Sequence, residues 1–104
     1  MAVMAMAQSP SVTISYDSIA TDQITVSYAK NADCTNYYIF SGNIGEAEGW
    51  VPMMGSLENV IKAWGINCTN DTTKVWDMLT PNTMRVHYVI AVSGATEVLI
   101  TDTV

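Results

Sequence analysis

The spacing of apolar positions changes along the chain, and those changes set the order of its elements. Ser11 to Tyr16 reads S-V-T-I-S-Y, with Val12, Ile14 and Tyr16 alternating against hydroxyl side chains. Period two puts one side of an extended segment in a core, so this stretch predicts a strand, which Asp17 and Ser18 should end. Gln23 to Lys30 repeats the pattern, with Ile24, Val26 and Tyr28 against Thr25, Ser27 and Ala29. Asn31-Ala32-Asp33 then supplies turn chemistry, because short polar side chains satisfy nearby backbone donors. From Asn36 to Gly42 the apolar run is nearly continuous (N-Y-Y-I-F-S-G), as expected for a strand covered on both faces.

The period then lengthens. Trp50, Met53, Met54, Leu57, Val60, Ile61 and Trp64 fall at offsets 0, 3, 4, 7, 10, 11 and 14, one face of a helix. Pro52 suits a first turn and Gly65 a C-terminal stop. Gly55 weakens the middle, so the ordered helix is expected from about Ser56, as N-cap, to Trp64. The stripe should pack against a sheet, which predicts Trp50 and Trp64 as core residues and the methionines as adaptable filling.

After a polar turn cluster at Asn67–Thr73, short apolar runs return. Lys74–Leu79 predicts a strand with Val75, Trp76, Met78 and Leu79 as its apolar positions, and Thr80-Pro81-Asn82-Thr83 a corner. Met84–Ser93 predicts a long strand, Ser93–Thr96 a tight turn, and Glu97–Thr101 the last strand. Three strands, a helix and three strands leave no helix between most strands. Parallel winding is excluded, and an all-β antiparallel sandwich with one short inserted helix is expected.

Composition narrows the function classes. The 104 residues suit one domain, and charged residues make up 13%, against roughly 25% in ordinary soluble domains. The net charge is −6 and the four cations (Lys30, Lys62, Lys74, Arg85) are scattered, which argues against nucleic acid or an anionic membrane as partner. No apolar run approaches the ~20 residues of a transmembrane helix, so no transmembrane segment is expected. Residues 1–8 are set apart from the fold. Ala5-Met6-Ala7 before Gln8 fits either the end of a signal peptide or a terminal scar. Cys34 and Cys68 leave two options open, separate buried thiols or a bridge closing a roughly 35-residue loop worth ~3–4 kcal/mol.

Several segments resemble fibronectin type III domains. Asp22-Gln23-Ile24-Thr25-Val26-Ser27-Tyr28 resembles their B strand, with Tyr28 where a core Trp usually stands. Thr35 to Gly42 resembles the C strand, and Leu79-Thr80-Pro81-Asn82-Thr83 the entry to the F strand. Val89 and Ala91 then fall at that strand's inward positions. Two departures stand out: Arg85 occupies the place of the corner Tyr, and the stretch between strands C and E is long and carries the helix. The resemblance covers residues 9–104 without that insert and implies an Ig-like fibronectin type III sandwich. Similar helix-bearing modules occur in surface lipoproteins of gut-type bacteria. The resemblance therefore implies an exported protein, at the cell surface or facing the periplasm, in which this would be one module among several. In such a sandwich Cys34 and Cys68 fall at the same pole, which brings a disulfide within reach, and an exported setting permits one.

Catalytic chemistry finds little support. His87 stands alone between Val86 and Tyr88, and no metal-ligand spacing or phosphate loop accompanies it. Glu46 and Glu48 are the nearest carboxylate pair, but they lie in a Gly-flanked loop before the helix, where acidic side chains also favour the helix N-terminus. Asp71, Asp77 and Asp102 are too dispersed for a calcium loop. No cofactor or metal is expected, and no enzyme. The expected role is a structural spacer joining other domains of a larger surface protein. The alternative is an adhesion or binding module for a glycan or protein, using the loop pole and helix, with Trp50, Trp64 and Tyr37 as candidate ligand-binding residues.

Overall fold

The computed structural model describes residues 10–77 and 84–104. Seven strands among these residues form two antiparallel sheets: β1 (Val12–Ile19), β2 (Ile24–Lys30), β3 (Asn36–Asn43), β4 (Ile66–Cys68), β5 (Thr72–Trp76), β6 (Arg85–Ser93) and β7 (Thr96–Thr103). One sheet has the order β1-β2-β5, the other β4-β3-β6-β7. The chain is an all-β sandwich with a small helical insert between β3 and β4.

Alternation explains the inner layer. Val12, Ile24, Val26 and Tyr28 from the first sheet meet Tyr37, Ile39, Val89 and Ala91 from the second, with Cys34 and Cys68 at one end. The other faces of β3 and β6 are also covered. Tyr38, Phe40, Tyr88 and Ile90 pack beneath the insert, against Ala47, Val51, Met54, Leu57, Val60 and Ile61. This second core is why β3 and β6 read as continuous apolar runs rather than as alternating ones.

The insert follows its sequence closely. A 3-10 turn at Glu48–Trp50 leads into α1 (Val51–Met54), which stops at Gly55 with φ 97°. Ser56 then caps α2 (Leu57–Trp64), its Oγ accepting from the Asn59 N–H at 3.1 Å. Gly65 turns the chain back into the sheet. A Cβ there would lie 2.4 Å from the Ile61 carbonyl oxygen and 2.7 Å from that of Ile39, so only glycine fits this seam.

Three boundaries differ from the sequence expectation. Asp17 does not end β1; the strand carries a register shift between Tyr16 and Ser18 and continues to Ile19. Such a bulge absorbs one residue without ending the pairing. Part of the expected turn at 67–73 is β4, whose Asn67 and Cys68 pair with Tyr38 and Tyr37. A three-residue edge strand is too short to show a period. The strand expected at 74–79 begins earlier, at Thr72, because Tyr28 pairs with Thr72 and Ile24 with Trp76. Met78, Leu79 and the corner at 80–83 lie outside the described residues.

Candidate functional site

The helical stripe divides into a buried part and an exposed part. Val60 and Ile61 are buried over the outer face of the second sheet, and Leu57 and Met54 are half-buried beside them. Trp50 and Trp64 are not core residues: they are 40% and 56% exposed, and Met53 is 75% exposed. The expectation of a fully packed stripe fails at its ends for a geometric reason. Gly55 breaks the helix, so α1 and α2 do not share one straight face, and Trp64 sits at the terminus of α2.

The two indoles meet each other. Their ring centroids lie 5.2 Å apart with 30° between planes. That is an offset aromatic contact, in the range such pairs prefer. Five of the eight exposed large apolar side chains among the described residues (Ile44, Trp50, Met53, Trp64, Ile66) belong to residues 44–66. Exposure of this kind is thus concentrated in the insert and at its junction with β4. Below it, Tyr88 donates to both carboxylate oxygens of Glu48 at 3.0 Å, tying the start of the insert to β6. Burial and the Glu48 carboxylate push the Tyr88 phenol up to about 12. On the far side Lys62 and Glu97 form an ion pair at 3.0 Å between α2 and β7.

Tyr37 belongs elsewhere. It is fully buried in the inner core and donates to the Asn70 carbonyl oxygen at 2.6 Å, so it offers nothing to a surface ligand. Cys34 and Cys68 are both buried in that same core, at one pole, and are free thiols. Glu46 accepts from the Asn43 N–H at 3.2 Å, a local loop contact. Among the described residues no group of three or more His, Cys, Asp or Glu side chains is arranged to hold a metal ion. No helix among them is long and apolar enough to cross a membrane.

A second polar site lies at the opposite pole from the cysteines, between the sheets, and the sequence signalled it only faintly. His87 is completely buried, with neither ring nitrogen hydrogen-bonded, and packs 5.5 Å from the Tyr16 ring. Its pKa falls to about 4, first through burial and then through the Arg85 charge, with Asp102 opposing. Arg85 reaches Asn43 Oδ1 at 2.9 Å and Ser41 Oγ at 3.3 Å, while its Nε is buried without a partner. The Tyr16 hydroxyl donates to Asp102 at 2.7 Å. The one sequence hint was Arg85 in place of the corner tyrosine that the resemblance expects; Ser41, Asn43 and Tyr16 carried no signal beyond strand membership.

Compared with known protein families and with curated proteins, the chain matches none.

Proposed function

We propose that the chain is a non-catalytic recognition module of an exported bacterial surface protein, with the Trp50–Trp64 pair as its platform and a glycan as its ligand class. The exposure of two mutually contacting indoles carries this reading. Buried, they would contribute to the core; exposed, each offers a flat apolar face that sugar C–H groups can cover. The exported setting rests on the sequence resemblance, which a three-on-four antiparallel sandwich supports.

The test is a glycan-array screen of the purified domain beside Trp50→Ala and Trp64→Ala. Specific binding that both substitutions abolish, with the circular dichroism spectrum and melting temperature retained, supports the platform. Absence of binding at high protein concentration defeats the glycan reading.

A spacer role is favoured by a separate observation. Val12, at the start of β1, lies opposite Lys30, while Thr103, at the end of β7, lies opposite Val86. Asn31 bonds Ser11 and Thr35 bonds Val92, which places Val12, Lys30 and Val92 at one pole and Val86 with Thr103 at the other. The start of β1 and the end of β7 therefore lie at opposite poles of the sandwich, a geometry compatible with a spacer. Both roles fit one molecule, since the insert lies on the flank between the poles.

A further inference from the structure

We propose that the interior polar site formed by Arg85 and His87 binds a small carboxylate, held by the Arg85 Nε–H and a His87 ring N–H. Three observations converge there. All the buried side-chain nitrogen or oxygen atoms left without a hydrogen-bond partner among the described residues belong to these two side chains: Arg85 Nε, His87 Nδ1 and His87 Nε2. Buried polar atoms in folded proteins are nearly always satisfied, and leaving one unsatisfied is costly. Arg85 and His87 are two apart in one strand and face the same side of it, and with His87 neutral they bring two unpaired donors, the Arg85 Nε–H and one ring N–H, to that side.

The charge pattern selects the acceptor. Arg85 is a permanent cation whose described partners are the neutral oxygens of Asn43 and Ser41. The one ion pair among the described residues is Lys62 with Glu97, elsewhere on the molecule. Asp102 faces the site but accepts the Tyr16 hydroxyl, so it is engaged and does not pair with Arg85. A water molecule would satisfy the donors and leave the guanidinium without a counter-charge. A carboxylate satisfies both, because its two oxygens can take one N–H from Arg85 and one from neutral His87. Asp102 is a like charge near such a ligand and disfavours a dianion more than a monoanion.

His87 is the one histidine of the chain, so its imidazole signals are unambiguous. Formate is titrated at pH 7 into the whole chain, labelled with nitrogen-15, at constant ionic strength, with chloride as the matched control. A saturable shift of the His87 ring nitrogens with formate but not chloride is expected. Arg85→Gln should weaken the apparent affinity on the order of tenfold or more, as loss of a charged hydrogen bond implies. Arg85→Lys keeps the cation and removes Nε; it should also weaken formate, and it serves if Arg85→Gln does not fold. No saturable shift, the same shift with chloride, or full retention in Arg85→Lys overturns the proposal.

Discussion

The two cores of this molecule are built from the same strands and differ in how they close. Between the sheets, Val26, Tyr37, Ile39, Val89 and Ala91 are sealed from both sides by regular strands. Outside the second sheet, Tyr88 and Ile90 are sealed by an eight-residue helix and a one-turn helix separated by a glycine break. A sheet covers a sheet along its length, whereas a short helix covers a strip and leaves its ends over open solvent. Trp50, Met53 and Trp64 stand at those ends. An apolar periodicity therefore predicts which residues can be buried; whether they are depends on how much surface lies opposite.

The comparison is sharpest in paired truncations. Ile39→Ala removes a fully buried side chain between the sheets and should cost about 3–4 kcal/mol, near the middle of the range for such cavities. Leu57→Ala, on the half-buried face of α2, should cost about half as much, because the side chain is only partly removed from solvent and water can reach the space. Urea unfolding of both variants checks this. Equal losses would mean that the helical layer is as firmly closed as the sandwich, and the division into two kinds of core would fall.

How much was legible follows the same division. Period two located β1 and β2, continuous apolarity marked β3 as covered on both faces, and a mostly apolar run after the corner gave β6. Pro52, Gly55, Ser56 and Gly65 gave the helical breaks almost to the residue, since each acts through local backbone geometry. What sequence could not show depended on tertiary placement. β4 exists because Gly65 brings the chain against β3, and a three-residue strand has no period to read. The exposure of Trp50 and Trp64 depends on the angle that Gly55 introduces. The Arg85–His87 site depends on four strands meeting at one pole, where Tyr16, Ser41 and Asp102 reach β6 from distant parts of the chain.

The inner core has its own weak point at that pole, and acid should find it. The His87 pKa lies near 4 in the fold against 6.5 for a free imidazole, chiefly because burial disfavours the charged ring and Arg85 adds to that. The unfolded chain therefore takes up a proton first as pH falls. Stability should decline from pH 6.5 to about 4 and then level off with respect to this group, by up to roughly 3 kcal/mol at 1.36 kcal/mol per unit. Asp102 and Tyr16 face the ring from β7 and β1, so their hydrogen bond must be kept while His87 is changed. In His87→Leu, the part of the slope between pH 6.5 and 4 due to this group should vanish. A chain whose unfolding free energy has the same slope with and without His87 would remove the inner core from the account of acid sensitivity.

The smallest effect separates the layers from the outside. Lys62 on α2 and Glu97 on β7 form the ion pair that fastens the helical layer across the sheet, with both side chains about a third exposed. A pair at that exposure is weak, because water screens the charges and two long side chains lose freedom to hold one geometry; about 0.5 kcal/mol is expected. A double-mutant cycle with Lys62→Met and Glu97→Gln measures the coupling without counting the cost of each change alone. It should fall toward zero in 1 M salt, where the screening length is about 3 Å. The packing of Val26, Ile39, Val89 and Ala91 between the sheets has no corresponding dependence, since those contacts are apolar. Coupling that persists in high salt would mean that this edge of the helical layer is closed against solvent, and that the two cores differ less than the exposed indoles suggest.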